Sequence, residues 1–311
     1  MKFSFTSLGT ASALPAVNRF PGAHVLDVHG RLFLIDCGEG CQIQLRKFGF
    51  SFARLSHIFI SHIHGDHVFG IFGLLSTMSL LGRTADLYIF APQGFAGILE
   101  MFNLHFGEGI KYKIIHEVLM GDSQRLIYQT KGTEVYSFPL NHRVDCYGFR
   151  FAEKIPPRNV YKHLIEKYQL SLSEIASLKR GEDLVRDGEE VVKNEELTYL
   201  PYQPRSFAYC SDTAPFPGIH EYVRGVDLLY HEATFTKELT DMARTTMHST
   251  ASQAAKVALR AGAKKLIIGH FSARYKDSTP LLNEARELFT NTFAAVEGME
   301  FEIELKQDSG V

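Results

Sequence analysis

The segment Ser61-His62-Ile63-His64-Gly65-Asp66-His67 carries three imidazoles and one carboxylate between positions 62 and 67, directly after the apolar stretch His57-Ile58-Phe59-Ile60. Neutral imidazole and carboxylate together suit a divalent cation, zinc first, with manganese and iron as competitors. Without a metal the cluster is costly to pack, because each imidazole brings a donor and an acceptor that need partners. The plainer alternative, a polar turn whose histidines coincide by chance, is disfavoured by spacing this tight. His62 and His64 alternate by two at a strand end and can point to one side, toward one metal. Asp66 and His67 follow Gly65, whose freedom allows the backbone a sharp bend, and suit a second metal.

His-x-His-x-Asp-His after a strand resembles the metallo-β-lactamase superfamily. The resemblance implies a two-metal hydrolytic site, with ions roughly 3.5–4 Å apart activating water. It also implies an α/β fold of four layers, an αββα sandwich with two mixed β-sheets between outer helices. Three later residues supply the remaining ligands, each at the exit of an apolar strand: His142 after Ser137–Asn141, Asp212 after Ser206–Ser211, and His270 after Leu266–Gly269. Each alone reads as an ordinary structural residue; together with the first cluster they form a series. The assignment is His62, His64 and His142 to one metal and Asp66, His67 and His270 to the other. Asp212 bridges, since a carboxylate offers lone pairs to both ions. Asp66 can also orient the attacking water or take its proton.

These residues need strands to end where they stand. Strands are expected over Lys2–Leu8, His24–Val28, Arg31–Asp36, His57–Ser61, Asp86–Phe90, Glu134–Leu140, Tyr147–Phe151, Ser206–Tyr209, Leu228–His231, Lys265–Gly269 and Phe301–Leu305. Helices are expected over Cys41–Phe48, Phe69–Leu80, Gly94–Phe102, Thr250–Ala261 and Leu281–Thr290, with Ser249 as N-cap and Gly262 as stop of the fourth. Interleaving of this kind implies a layered α/β domain with helices outside, spanning 1–311. One stretch, 154–200, turns polar, is punctuated by Pro156-Pro157 and Asp187-Gly188, and reads as an inserted arm in which Tyr161–Tyr168 and Ser173–Leu178 can be helical.

Composition sets bounds on the rest. The 311 residues are 45% hydrophobic and 22% charged, ordinary for a globular protein with a sizeable core. No apolar run reaches the length of a membrane span, and the first residues read as a strand, so a cytoplasmic protein is expected. Cys37, Cys41, Cys146 and Cys210 are scattered and read as buried free thiols. A net charge of −2 is low for a nucleic-acid binder, so any such role needs locally clustered cations.

Further motifs narrow the resemblance to the ribonuclease Z family, over nearly the whole chain. They are Leu8-Gly9-Thr10-Ala11-Ser12-Ala13-Leu14-Pro15, Leu34-Ile35-Asp36-Cys37-Gly38-Glu39-Gly40, Pro139-Leu140-Asn141-His142, Tyr230-His231-Glu232-Ala233-Thr234-Phe235, His248-Ser249-Thr250, and Gly269-His270-Phe271-Ser272-Ala273-Arg274-Tyr275. The resemblance implies a zinc-dependent endoribonuclease that removes 3′ trailers from tRNA precursors. The tRNA keeps a 3′-hydroxyl and the trailer a 5′-phosphate. It implies two Zn2+ per subunit, with Mn2+ or another divalent ion as alternative, and catalytic roles for Asp66, His248 and Glu232. His248 is the proton donor to the departing 3′ oxygen, Glu232 raises its pKa, and Arg274 binds a substrate phosphate. Asp36 and His231 are expected to orient ligand histidines. The 154–200 arm is expected to grip the tRNA body, and the chain to form a homodimer in which one subunit's arm serves the other's active site. Two departures stand out: the Gly-Pro-rich element usual in the arm is replaced by Ser171–Leu178, and Ser211 stands where the family usually has Gly. The alternative is a phosphodiesterase with the same metals acting on small phosphodiesters or cyclic nucleotides; a third reading is a non-catalytic nucleic-acid-binding protein.

Overall fold

Alternation along the central strands explains the layering. In Arg31–Cys37, Leu32 and Leu34 pack toward one side while Phe33 and Ile35 pack toward the other; in Ser206–Cys210, Phe207 and Tyr209 alternate with Ala208 and Cys210 in the same way. A strand buried on both faces requires a cover on each. The computed structural model describes residues 1–14, 16, 19–187 and 189–306. Pro15 of the first motif and Gly188 of the Asp187-Gly188 turn lie outside the described residues.

The chain divides into two compact units: residues 1–128, 135–151 and 206–303, and residues 129–134, 152–205 and 304–311. Strands follow in the order β1 (Phe3–Gly9), β2 (Ala23–Val28), β3 (Arg31–Cys37), β4 (Leu55–Phe59), β5 (Leu87–Pro92), β6 (Ile114–Leu119), β7 (Arg125–Gln129), β8 (Thr133–Leu140), β9 (Cys146–Glu153), β10 (Asn159–Val160), β11 (Leu184–Arg186), β12 (Glu189–Val192), β13 (Thr198–Tyr199), β14 (Ser206–Cys210), β15 (Leu228–Glu232), β16 (Leu266–Gly269), β17 (Thr292–Ala294) and β18 (Glu300–Glu302). Among the described residues, two seven-stranded sheets have the orders β18-β1-β2-β3-β4-β5-β6 and β17-β16-β15-β14-β9-β8-β7. Both are mixed: β1 and β2 pair antiparallel while β3, β4 and β5 are parallel, and β14 to β17 are parallel.

In the first unit, aromatic side chains from both sheets, including Phe5, Phe33, Phe59, Phe149, Phe207 and Tyr230, form the core between them. The outer face of the first sheet carries α1 (Cys41–Lys47), α2 (Gly65–Val68), α3 (Ile71–Leu80) and α4 (Phe95–Phe106). The result is an αββα sandwich, since the second sheet is covered likewise. In the second compact unit, α5 (Lys162–Lys167), α6 (Leu172–Lys179) and α7 (Asn194–Leu197) join the two-stranded ribbons β10-β13 and β11-β12. The second sheet's outer face carries α8 (Ile219–Tyr222), α10 (Ala251–Ala261) and α11 (Thr279–Arg286), with α9 (Thr240–Thr246) before α10.

Three sequence expectations need correction. β6, β7, β17 and the short strands β10 to β13 were not expected; in β6 and β7, half-buried, mixed residues (Ile114-Ile115-His116-Glu117, Arg125–Gln129) lack the apolar run that marks a central strand. The cap of α10 is Thr250, not Ser249. Thr250 Oγ1 accepts from Gln253 N at 3.3 Å and Gln253 Oε1 accepts from Thr250 N at 2.8 Å, a capping box. Ser249 Oγ is engaged elsewhere, donating to the Thr213 carbonyl at 2.7 Å. Gly65 does not supply a bend through unusual φ. It supplies space, because a Cβ there would meet the Phe69 ring at 2.3 Å.

The second unit contains the polar 154–200 stretch and has its own small core of Val160, Leu170, Leu178, Leu184 and Leu197. Ser171 and Glu174 form a capping box at α6. Several of its cations are paired locally: Arg180 with Glu182, Arg186 with Glu174, Lys193 with Asp183. Arg205 and Glu153, both buried, meet in a two-pronged pair at 2.7 and 3.1 Å. Cys37, Cys41, Cys146 and Cys210 are free and buried, and no helix among the described residues is long and apolar enough to cross a membrane.

Candidate metal centre

Strand exits in the first unit bring the singled-out residues together. His62 follows β4, His142 follows β8, Asp212 follows β14, Glu232 ends β15 and His270 follows β16. Donor atoms of His62, His64, His142 and Asp212 lie within 4.8 Å of one another, and so do those of Asp66, His67, Asp212 and His270. Asp212 belongs to both groups. Its Oδ2 lies 3.6 Å from His62 Nε2 and 3.5 Å from His67 Nε2, while Oδ1 lies 3.2 Å from His270 Nε2.

The outward nitrogens decide what the inward ones can do. His67 Nδ1 lies 2.8 Å from Asp36 Oδ2 and His142 Nδ1 lies 3.0 Å from the Met247 carbonyl. Those oxygens only accept, so both rings donate outward. His62 Nδ1 lies 3.0 Å from Ser61 Oγ, whose own proton goes to Asp36 Oδ2 at 2.9 Å. His270 Nδ1 lies 2.9 Å from Thr234 Oγ1, whose proton goes to Glu232 Oε2 at 2.8 Å. In the neutral rings all four Nε2 atoms therefore carry bare lone pairs, an assignment inferred from these partners. His64 is turned the other way: its Nδ1 sits 3.0 Å from His62 Nε2 and 3.3 Å from His142 Nε2. Three ring nitrogens thus converge with at most one proton among them.

In the second group, His67 Nε2, His270 Nε2 and Asp212 Oδ1 are buried and have no hydrogen-bond partner among the described residues. Buried polar atoms are otherwise almost always satisfied, and nitrogen and oxygen donors at these separations fit divalent cations.

Charge points the same way. Burial, and then the neighbouring His67, hold His62 well below the ordinary imidazole pKa; burial also lowers His64 and His142, keeping them neutral as ligands must be. Burial opposes charge on His67 as well, yet Asp66, Asp212 and Asp36 pull its pKa well above the ordinary value. Asp66 and Asp212, despite burial, stay far below the usual carboxylate range through His67 and His270. A field that holds a proton so firmly favours a cation in the same place.

Asp36 is the common brace, buried and at φ +56°. It accepts from Ser61 N (2.7 Å), Ser61 Oγ (2.9 Å), His67 Nδ1 (2.8 Å) and Tyr209 Oη (2.8 Å). Ser211, the departure noted above, joins this network through Ser61 Oγ at 2.9 Å. Gly38 permits the close approach of the loop: a Cβ there would lie 2.4 Å from the Asp66 carbonyl. His231 does not brace a ligand histidine. Its Nδ1 donates to the Glu232 carbonyl at 2.7 Å, at the end of its own strand.

Beside the two groups stands a third, Glu232, His248 and His270. Buried Glu232 accepts from Ser249 N (2.8 Å), Thr213 N (3.2 Å), Thr234 N (3.0 Å) and Thr234 Oγ1 (2.8 Å). His248 Nδ1 donates to Glu232 Oε1 at 3.1 Å and lies 4.0 Å from Asp212 Oδ2. Burial lowers the His248 pKa, but Glu232 and then Asp212 outweigh it and push the value up to about 9. Arg274 sits on an exposed turn at the rim of a cavity that His248 also lines.

The sequence motifs contained Thr234 and Ala13 but gave no role to the Thr234 hydroxyl at His270 or to the Ala13 amide that donates to Asp66 Oδ2 at 2.9 Å, and nothing pointed to the Met247 carbonyl that turns His142. The last two act through backbone, for which residue type carries no signal. Met247 and His270 both take left-handed φ (+60°), strain of a kind that clusters at functional sites.

Comparison with known proteins agrees with this picture. Residues 3–107 match the family model described as anti-Pycsar protein Apyc1, and residues 198–271 match that of the β-lactamase superfamily domain. Ribonuclease Z of Bacteroides fragilis is 45% identical over 298 residues, covering 96% of this chain and 98% of its own length. That of Bacteroides thetaiotaomicron is 44% identical over 298 residues, covering 96% and 94%. The crystal structure of human tRNase Z, short form, superposes with a TM-score of 0.71 at 25% identity, covering 97% of this chain and 99% of that one.

Proposed function

This chain belongs to the ribonuclease Z family, and on that premise we infer that it is a metal-dependent endoribonuclease removing 3′ trailers from tRNA precursors by phosphodiester hydrolysis. The observation that carries the chemistry is a buried carboxylate, Asp212, shared by two groups of metal-type donors, with His248 Nδ1 4.0 Å from it and 3.1 Å from Glu232 Oε1.

In this reading His62, His64 and His142 would hold one ion and Asp66, His67 and His270 the other, with Asp212, common to both groups, offering its carboxylate to each. The ions are two Zn2+, with Mn2+ as the alternative. Divalent cations held there activate water and neutralise charge on the phosphoryl oxygens. The remaining work falls to the chain. Asp66, steadied by the Ala13 amide, orients the attacking water or takes its proton. His248 presents Nε2 to the departing 3′ oxygen and gives it a proton, while Glu232 holds Nδ1 and keeps the ring charged. Arg274 pairs with a substrate phosphate, and the arm over 154–200, inserted in a single 1–311 domain, grips the tRNA body. The chain acts as a homodimer in the cytoplasm, a reading supported by the family resemblance and, for the compartment, by four free thiols.

A pre-tRNA cleavage assay with both new ends mapped tests the function. The expected result is a tRNA ending in a 3′-hydroxyl and a trailer starting with a 5′-phosphate, with activity lost in Asp212→Ala. Hydrolysis of a small chromogenic phosphodiester without pre-tRNA cleavage, in zinc or in manganese, would replace this reading with the small-substrate one. Light scattering on the eluting protein tests the dimer.

A further inference from the structure

A cavity of about 490 Å³ opens beside His248. Leu14, Phe235, Met242, Ala273 and Arg274 line it together with His248. Segments distant in sequence are stitched together to make it: Phe271 N donates to the Thr10 carbonyl at 2.8 Å, Ser12 N donates to the Phe271 carbonyl at 3.0 Å, and Phe235 bridges to Thr250. Phe235 is buried within this frame, whereas Leu14 is 67% exposed. A single exposed leucine needs no explanation. Here the leucine shares one cavity with Phe235, Met242, His248 and Arg274, brought together from four separate segments. Among the described residues, Arg274 has no ion-pair partner.

The position of His248 says what can lie there. If it gives a proton to the departing 3′ oxygen, the sugar bearing that oxygen lies against its ring. The base on that sugar then falls within reach of the adjoining cavity. The apolar side chains of Leu14, Phe235 and Met242 suit the π-face of a flat heterocycle, and such contacts tolerate any base. The volume lies within the range of small-ligand pockets.

We propose that this cavity seats the base of the nucleotide whose 3′ oxygen is released, held against Leu14, Phe235 and Met242, with Arg274 meeting the phosphate on its 5′ side. The proposal rests on the ribonuclease reading and adds to it a base-holding, sequence-tolerant subsite that positions the scissile bond.

The test is a double cycle on kcat/KM. One axis is the enzyme, wild type against Leu14→Ala/Met242→Ala; the other is a pre-tRNA, intact or abasic at the last nucleotide retained by the tRNA. Either change alone should lower kcat/KM by about 5- to 150-fold, the effect of removing a stacking partner, and the two together by little more than either alone. Equal cleavage of intact and abasic substrate by the wild type overturns the proposal. So does multiplication of the two losses, or coupling that appears instead with an abasic first trailer nucleotide. If the double variant's unfolding midpoint drops, Leu14→Ala alone repeats the cycle at an exposed position. Failure of the wild type to cleave any pre-tRNA is a different result, which removes the ribonuclease reading and the proposal with it.

Discussion

Asp36→Asn tests the logic of the centre without touching a ligand. Asparagine matches aspartate in shape and tolerates the left-handed φ of +56°, so the backbone has no reason to move. What changes is hydrogen bonding and charge. Oδ2 accepts from Ser61 Oγ, His67 Nδ1 and Tyr209 Oη, and Oδ1 from Ser61 N. The better amide orientation keeps its oxygen at the Oδ2 position and turns its NH2 against the Ser61 amide, so that the Ser61 N–H and the amide's own N–H both lack an acceptor there, at about 1–3 kcal/mol each. His67 also loses the negative partner that makes its Nε2 a strong donor, and outer carboxylates of this kind are typically worth about 10–100-fold in metal affinity. Asp36→Ala is harsher: Ser61 N, Ser61 Oγ, His67 Nδ1 and Tyr209 Oη all lose their acceptor, a loss of about 4–12 kcal/mol. That approaches the whole stability of a typical domain, about 5–15 kcal/mol, so the alanine variant should not accumulate folded. Zinc affinity measured by competition with a chromogenic chelator, beside denaturant unfolding, checks both numbers. Wild-type zinc affinity in Asp36→Asn, with the variant folded, would refute the claim that the outward hydrogen bonds set the inward lone pairs.

Asp212→Ala should lose bound metal and activity together, because both donor groups share that carboxylate; elemental analysis showing a full metal complement would remove the bridge. His248→Ala should retain metal but slow pre-tRNA cleavage by about 10²–10⁴-fold. It should scarcely affect a p-nitrophenyl phosphodiester, whose leaving group departs without a proton; equal losses on both substrates, or loss of metal, count against the proton-donor role. Since the His248 pKa is raised to about 9, its acid form is present below that value, and activity should fall as pH rises through it. Bound cations can only move this limb downward. His57 makes a separate stability prediction: burial, then Arg31 and Arg83, lower its pKa to about 4. The unfolded chain therefore takes up the proton first, and stability is complete above about pH 6.5 and falls by up to about 3 kcal/mol as pH drops to about 4. Unfolding of wild type and His57→Phe across this range should diverge, and parallel profiles would exclude His57 as the cause.

The gathering of candidate donors was legible in the sequence because metal-type donors are a small set of residue types and local spacing constrains where they point. The His62–His67 cluster is local, and His142, Asp212 and His270 each follow an apolar strand. Central strands were legible for the same reason, since residues buried on both faces leave a continuous apolar run, as in Leu32–Ile35. Edge strands such as Ile114–Leu119 were not, because half-buried residues mix polar and apolar types. Ser249 and Thr250 are both good caps by type; Gln253, three residues after Thr250, completes a capping box with it, while Ser249 is taken up by the Thr213 carbonyl.

From sequence alone, then, came the identity of the donors, their order along the chain and the layered fold that presents them. The tertiary structure decided which nitrogen each histidine turns inward, because that depends on the partner of the other nitrogen: Asp36, Ser61, Thr234 and the Met247 carbonyl. It also decided that Leu14, Phe235 and Met242 face one cavity beside His248. Neither follows from residue types, since a backbone carbonyl is the same in every residue and an apolar wall exists only once distant segments meet.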